Sequence, residues 1–204
     1  MNMRDQALWN AAKPWLDVRS NDEHTLISYE LAHSLLKLIH EAEEAIVLPA
    51  ILLHDTGWKK VPQEKLAHAV GPNPKYPELQ RDHEVASVEI GREILNNLNL
   101  NLDDTAILAI VDGHDTTKHA RSINDAVVKD ADKLWRLTPH GRRTIASWYD
   151  SNERDTLAML EDFVLPSFLT PEGRAMACAL LAEGKAMNRR VEFNIIDPNA
   201  ATAP

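Results

Sequence analysis

The stretch IVLPAILLHDTG, residues 46–57, decides how this chain folds. Its eight apolar residues run directly into His54 and Asp55, so we expect a helix over residues 46–54 that ends at this pair. Burying an imidazole and a carboxylate side by side costs several kcal/mol unless something satisfies them, and a divalent cation satisfies both. In the alternative interpretation, His54 caps the helix end and Asp55 begins a turn before Gly57.

Apolar residues recur at helical spacing along most of the chain, and no region alternates with a period of two. We therefore predict an all-α fold in one domain, since 204 residues with 44% hydrophobic side chains can bury a substantial core. The predicted helices cover residues 3–17, 23–44, 46–54, 81–97, 103–114, 124–137, 141–168 and 171–192. We expect N-cap residues at the start of three of these helices: Asp22 or Asn21 for the second helix, Asp82 for the fourth and Asp103 for the fifth. Pro171 suits the first turn of the last helix. Residues 56–80 form the longest irregular stretch, which we expect to cover a site.

The composition excludes several functional classes. A formal charge of -9 argues against binding along a nucleic-acid backbone, although a small anion can still bind where positive charge is local. No segment approaches the ~18 to 20 apolar residues of a membrane span, and the N-terminal residues lack the apolar stretch of a secretory signal. We therefore expect a soluble, cytoplasmic protein. The single cysteine, Cys178, cannot form an internal disulfide, and we expect it to be buried in its alanine-rich segment.

Helical phase separates the histidines that point inward from those that do not. At about 100° per residue, His24 shares a face with Leu31 and Leu35, whereas His33 lies about 180° around the same helix. The same test turns His83 and His114 toward apolar residues of their own helices. A single inward histidine is usually a core residue bonded to a carbonyl, but four of them with a carboxylate favour a shared metal site.

One more carboxylate is expected from the segment DADKLW, residues 130–135. Asp130 and Asp132 both lie on partly buried stripes, so helical phase does not choose between them. The helix dipole, which favours acids in the N-terminal half, fits Asp130 slightly better.

These residues resemble the HD-domain superfamily of metal-dependent phosphohydrolases. The pattern of that superfamily is a histidine opening one helix, a His-Asp pair ending the next apolar helix, and a later aspartate before a basic residue. The matching stretches are HTL (24–26), LLHDTG (52–57) and DADKL (130–134), with HEVAS (83–87) similar to a helix of several members. In family register the metal aspartate is Asp132, with Asp130 as the alternative. His114-Asp115 falls where multi-histidine members add a ligand.

The resemblance implies a helical HD-domain fold with additional C-terminal helices. The expected divisions are an N-terminal helix at 1–19, the metal-binding domain at 20–140, C-terminal helices packing on it at 141–193 and a flexible tail at 194–204. The expected metal ligands are His24, His54, Asp55, His83, His114 and Asp132. Six ligands favour two divalent ions bridged by Asp55, and imidazole and carboxylate ligands suit Mn, Fe, Co, Ni, Zn or Mg.

The activity implied is hydrolysis of a phosphate ester or anhydride of a small molecule, with a nucleotide among the candidates, by a metal-activated water. Asp55 and Glu84 are the expected catalytic residues, with Glu84 shuttling a proton. Lys59, Lys118 and Lys133 are expected to bind the substrate phosphate. The partner is then a small anionic phosphorylated substrate, and a homo-oligomer is left open. Two alternatives remain: a di-iron oxygenase acting on a small anionic substrate, and a non-catalytic nucleotide-binding sensor.

Overall fold

The computed structural model describes residues 1–71 and 74–192, and within these ranges it is all-α, with no strand. The helices are α1 (Met3–Ala12), α2 (Asn21–Leu36), α3 (Glu44–Leu53), α4 (Glu78–Leu98), α5 (Asp104–Val111), α6 (Ile123–Leu137), α7 (Pro139–Trp148), α8 (Glu153–Met159) and α9 (Pro171–Glu192). Short 3₁₀ helices cover Lys13–Trp15, Thr56–Lys60, Gln63–His68 and Leu165–Ser167, and a π-helical turn covers Leu160–Val164. The predicted all-α fold is confirmed.

Helix α3 lies at the centre of the fold because every residue from Ile46 to Leu53 is buried. It contacts α1, α2, α4, α5 and α6, which together enclose it. Its N-terminus is tied to α6, since the Glu43 N–H donates to Asn124 Oδ1 at 2.7 Å and Asn124 Nδ2 donates to Glu43 Oε1 at 3.2 Å. A helix buried on all sides keeps a fixed position, so the residues directly after it are fixed as well.

Several helix ends differ from the sequence-based expectations. The second helix ends at Leu36 rather than at residue 44, and the expected helix over 141–168 is interrupted between Trp148 and Glu153. Asp150 lies in this interruption with φ 48°, a left-handed conformation that a continuous helix does not contain. Apolar residues return at helical spacing after each break, and the polar run DSNERD at 150–155 was the available signal for the second break.

The expected helix termini were partly correct. Asp103 does cap α5 by accepting from the Ala106 N–H, and Pro171 begins α9. The expectations for the second and fourth helices were wrong, because α2 has Ser20 at its N-cap position and α4 begins four residues before Asp82.

Two further expectations concern the C-terminal part of the chain. Cys178 is exposed, not buried, because it lies on the solvent face of α9. The expected flexible tail, 194–204, lies outside the described residues.

Buried polar contacts hold the C-terminal helices to the rest of the fold. Asp130 of α6 accepts from the backbone N–H groups of Leu169 and Thr170 and from the Thr170 hydroxyl, at 2.7–2.9 Å. The buried Arg142 of α7 donates to the Leu137 carbonyl and to Glu183 of α9. Helices α7 and α9 are thereby packed against α6. None of the described helices has the length and apolar character needed to cross a membrane.

Candidate metal centre

The fold brings the six expected metal ligands together at one end of α3. His24 lies in the first turn of α2, His54 and Asp55 follow α3, and Asp132 lies in α6, which packs on α2. His83 lies in α4 and His114 follows α5. All six side chains are buried, although they come from five different segments of the chain.

Three of these residues form what we call the first half-site: His24, His54 and Asp132. The Nε2 atoms of the two histidines are 3.0 Å apart, and Asp132 Oδ1 lies 3.3 Å from His24 Nε2 and 3.8 Å from His54 Nε2. One atom from each residue could therefore bind the same ion, since the three atoms lie within 4.8 Å of one another.

His83, His114 and Asp115 form the second half-site. The two Nε2 atoms are 3.2 Å apart, and Asp115 Oδ2 lies 3.9 Å from His83 Nε2 and 4.0 Å from His114 Nε2. Asp115 was not among the ligands expected from the sequence, although it directly follows one of them. Its adjacency to His114 was the available signal, but a residue beside an inward-facing one usually points elsewhere on a helix. Asp115 can approach because α5 has already ended at Val111.

Asp55 lies between the two half-sites. Its Oδ1 is 3.6 Å from His54 Nε2, 3.6 Å from His83 Nε2 and 3.4 Å from His114 Nε2. Its Oδ2 is 3.4 Å from His24 Nε2. A carboxylate in contact with all four imidazoles has the position of a bridging ligand.

Backbone carbonyls orient two of the imidazoles. His54 Nδ1 lies 2.7 Å from the Ile51 carbonyl, and His114 Nδ1 lies 2.9 Å from the Val111 carbonyl, each three residues earlier in the chain. A carbonyl can only accept, so each Nδ1 carries a proton and each Nε2 faces the cluster, where it can hold either a proton or a metal ion. This is the arrangement in which metal-binding histidines are usually held.

The electrostatics of the cluster favour a cation. Burial lowers the pKa of His24 to about 4, and burial also lowers the pKa of His83, so both imidazoles are neutral. Burial alone would raise the pKa of Asp55, but the surrounding imidazoles hold it well below its usual range. Burial also disfavours a charged His114, yet hydrogen bonding to Asp55 and the charge of Asp115 raise its pKa to about 10. The carboxylates therefore draw positive charge into the cluster, which a metal ion would supply.

The donor atoms themselves fit divalent ions. Imidazole nitrogens only 3.0–3.2 Å apart need a shared proton or cation between their lone pairs, and this occurs in both half-sites. The set contains nitrogen and carboxylate oxygen but no thiolate, which suits first-row divalent metals and Mg²⁺. The residues present therefore fit one ion in each half-site, with Asp55 between them.

The turn after Asp55 packs directly on α4. Ser87 Oγ accepts from the Gly57 N–H at 2.8 Å, and there is no room for a side chain at Gly57 because a Cβ there would lie 1.9 Å from the His83 carbonyl oxygen. Trp58 stacks on the His83 ring at 3.9 Å and donates from Nε1 to Asp55 Oδ1 at 3.1 Å. These contacts set the position of His83 relative to Asp55.

Glu84 is buried beside the second half-site, but its carboxylate is occupied by contacts with the protein. Oε1 accepts from the backbone N–H groups of Asp115 and Thr116, and Oε2 accepts from the Thr116 hydroxyl and from Arg81. Four donors fill the acceptor positions of a carboxylate. Glu84 thus holds the turn that carries His114 and Asp115, and this arrangement does not favour the expected proton shuttle.

The structure does not bring the three expected phosphate-binding lysines to the cluster. Lys59 pairs with Asp17, Lys133 donates to the Ser167 carbonyl at 2.7 Å, and Lys118 is exposed. None of them is among the described residues that line the adjoining cavity. Their signals were sequence proximity to the motifs and, for Lys133, the family resemblance, and neither determines where a long side chain points.

A cavity of about 350 Å³ opens beside the cluster, and its cationic lining comes from two arginines. Arg136 Nη2 lies 3.1 Å from Asp132 Oδ2 and 3.7 Å from Asp115 Oδ1, so its guanidinium adjoins both half-sites. Arg19 lies above the Trp148 ring, with the guanidinium carbon 4.1 Å from the ring centroid. Sequence reasoning missed both arginines, although Arg136 directly follows the segment 130–135 and lies one turn after Asp132 on α6.

The structure also separates the two aspartates that sequence reasoning left open. Asp132 faces the histidines of the first half-site, whereas Asp130 is occupied by Leu169 and Thr170. They lie about 200° apart around α6, so only one of them can face α2 and α3.

Comparison with known proteins agrees with this geometry. The family model described as HD domain matches residues 21–137, which include all six expected ligands and more than half of the chain. Neither a curated protein nor a solved structure shows significant similarity to the chain. From the family match and the clustered histidines and aspartates, the chain belongs to the HD-domain superfamily of metal-dependent phosphohydrolases.

Proposed function

We propose that this protein is a phosphohydrolase with two divalent metal ions, which cleaves a phosphate ester or anhydride of a small molecule. The observation that carries the proposal is the position of Asp55, which contacts the Nε2 atoms of all four buried histidines. One ion would be held by the first half-site and the other by the second, with Asp55 as the bridge. When bound, such ions lower the pKa of a coordinated water toward neutrality and polarise a phosphoryl oxygen.

The chain supplies the remaining parts of a phosphoryl-transfer site. Arg136 adjoins both half-sites and is held there by Asp132 and Asp115, so it can neutralise charge on a phosphoryl oxygen. Trp58 orients Asp55 through its Nε1 donor and covers one face of His83. In this proposal Arg136, rather than Lys59, Lys118 or Lys133, is the cation beside the phosphoryl group.

We assign Glu84 a positioning role. Three of its four donors belong to the Asp115-Thr116 turn, and the position of His114 depends on that turn. Groups that orient metal ligands typically contribute 10–100-fold to metal affinity, and we expect an effect of roughly that size here.

Glu84→Gln tests this role. The glutamine amide nitrogen cannot accept, so two of the four donors lose their acceptor and the turn loosens. We expect the ion of the second half-site to bind about 10–100-fold more weakly, with the ion of the first half-site changed by less than about threefold. Titration of the metal-free protein with Mn²⁺, followed by calorimetry, measures both. Glu89→Gln, an exposed position on the same helix, is the matched control. Equal weakening of both ions would contradict the assignment.

Two measurements on the same preparation test the proposed function. Elemental analysis of protein purified without chelator should approach two metal ions per chain. The metal-free protein, reloaded with Mn²⁺ under anaerobic conditions, should release inorganic phosphate from members of a panel of nucleotides, sugar phosphates and aryl phosphates. A measured content of one metal ion per chain would refute the two-ion centre.

The two alternatives give different results in these assays. A di-iron oxygenase would use the same ligand set, but it would require iron, consume oxygen and release no phosphate without oxygen. A nucleotide-binding sensor would bind a nucleotide and turn over no member of the panel under either condition. Either result would overturn the hydrolase proposal.

A further inference from the structure

The cavity beside the metal centre is closed in part by residues outside the part of the chain that matches the family. Its apolar wall includes Trp148 of α7 and Leu160, Phe163 and Val164 of the π-helical turn, all beyond residue 137. Arg19, before residue 21, closes another side. Part of the cavity wall thus comes from segments that carry none of the metal ligands.

The apolar wall presents aromatic rings that can contact an apolar group in the cavity. Phe163 lines the cavity while 65% exposed, which places an unburied aromatic ring at its mouth. Phe163 also lies on a π-helical turn, a rare conformation that is frequent at functional sites. Trp148 and Tyr149, at the end of α7, also line the cavity, and the Tyr149 hydroxyl donates to the Val70 carbonyl at 2.8 Å, which ties this wall to the loop after Thr56–Lys60. A cavity of about 350 Å³ with such walls suits a single compact organic group.

Two polar residues on the cavity lining, Asn21 and Arg19, each lack a partner within the described part of the chain: a hydrogen-bond acceptor for Asn21 and a carboxylate for Arg19. Asn21 is 6% exposed, and its Nδ2 atom is buried without a hydrogen-bond partner among the described residues. A buried amide donor left unpaired costs about as much as a lost hydrogen bond, so an acceptor is expected to fill this position when the cavity is occupied. Asn21 lies one turn before His24 on α2, and therefore on the side of the cavity next to the metal centre.

Arg19 is the second such residue. Its guanidinium stacks on Trp148 and donates to the Leu66 carbonyl at 2.9 Å, but no carboxylate among the described residues lies within 4.0 Å of it. Arg19 and Ser20 both have left-handed backbones, with φ 53° and 59°, a strained conformation for residues other than glycine. Strain of this kind persists where the surrounding structure enforces it, commonly at binding sites. Here it directs Arg19 over the cavity.

We propose that the cavity selects small organophosphorus anions with an aromatic or otherwise apolar body. Asn21 and Arg19 contact the anionic group, and Trp148 and Phe163 contact the body. This inference rests on the proposed function, because the metal centre is taken to hold the phosphoryl group. It adds the class of substrate and the residues that select it.

Binding of two phosphonates tests the inference without turnover. Phenylphosphonate and methylphosphonate carry the same anionic group and differ in the body, and their carbon–phosphorus bond is not a target of ester hydrolysis. We expect the Mn²⁺-loaded full chain, measured anaerobically by calorimetry, to bind phenylphosphonate about tenfold more tightly than methylphosphonate. Phe163→Ala should reduce that ratio to about threefold or less, and Phe163 is exposed enough for this variant to fold. Leu38→Ala, exposed and outside the cavity lining, should leave the ratio unchanged.

The polar contacts are tested on the same probes. Asn21→Ala and Arg19→Gln should weaken both phosphonates by a similar factor, about fivefold to tenfold, and leave the ratio unchanged. Arg92→Gln, an exposed arginine outside the lining, should have no effect.

Equal affinity of the wild type for the two phosphonates, binding of neither, or a ratio unaffected by Phe163→Ala would overturn the inference. Phosphate release without preference for aryl esters would overturn it too while leaving the proposed function intact. Selective phosphonate binding without any phosphate release would overturn the proposed function and leave the inferred selectivity of the cavity intact.

Discussion

Asp55→Ala should leave the purified protein with almost no bound metal and no activity. Asp55 contacts every histidine of the cluster, so its removal takes a ligand from both half-sites and leaves four neutral or charged imidazoles without their central carboxylate. Removing one partner from a buried charged cluster costs about 3 to 5 kcal/mol, and a loss of that size in metal affinity corresponds to a factor of roughly 10² to 4 × 10³. Elemental analysis after purification without chelator measures the effect directly.

Two controls show whether the loss is specific to Asp55. Asp82→Ala removes an exposed aspartate of α4, and His33→Ala removes a histidine of α2 that lies outside the cluster; both should retain full metal content. Retention of one ion by Asp55→Ala would show that Asp55 does not bridge, and comparable losses in all three variants would show that the helical-phase argument for the ligands fails.

Gly57→Ala should destabilise the protein by about 3 kcal/mol or more, which is at the upper end of the usual cost of overpacking. An added Cβ would lie 1.9 Å from the His83 carbonyl oxygen, 2.6 Å from the Ser87 backbone nitrogen and 2.8 Å from Ser87 Oγ. Two of these atoms are backbone atoms of α4, so the whole helix must move away from the His54-Asp55 turn. Urea denaturation of the metal-free protein measures the free energy of unfolding, and metal content should fall as His83 is displaced.

Gly91→Ala is the matched control for this prediction. It lies on the same helix, but a Cβ there would meet side-chain ends, 3.1 Å from Leu108 Cδ2 and 3.5 Å from Leu53 Cδ1. A small packing cost should be offset by the gain in helix propensity of about 1 kcal/mol, so we expect a net change within about 1 kcal/mol. A cost for Gly57→Ala no larger than that of Gly91→Ala would contradict the proposed packing of the turn on α4.

Most of the helices and of the inward-facing histidines could be predicted from the sequence, because both depend on local spacing. The phase of His24 or His83 within its own helix follows from the rotation per residue, whichever helices lie nearby. Helix ends were less predictable. Apolar spacing does not mark the left-handed residues Arg19 and Ser20 or the exact position of Asp150, and the Arg19 side chain bonds to the distant Leu66 carbonyl.

Partners that are distant in sequence could not be predicted in this way. Asp130 and Asp132 have similar neighbours along α6, and only the packing of the Leu169-Thr170 backbone on Asp130 leaves Asp132 to the histidines. From the sequence, Glu84 is an acid next to a metal ligand. Only the structure shows that the turn at Asp115 donates hydrogen bonds to its carboxylate. Lys133 has the expected position in the motif, yet its flexible side chain reaches the Ser167 carbonyl instead.

The sequence by itself determined that this chain is all-α, that a buried helix ends at His54-Asp55, and that imidazoles and carboxylates of metal-binding type face inward. Each of these follows from residue spacing within one helix. Only the tertiary structure decided that Asp55 lies between two half-sites, that Asp115 joins the second, and that Arg19 and Arg136 are the cations at the cavity. These are distances between segments separated by tens of residues, and they are set by which helix faces pack together, a property that no single segment contains.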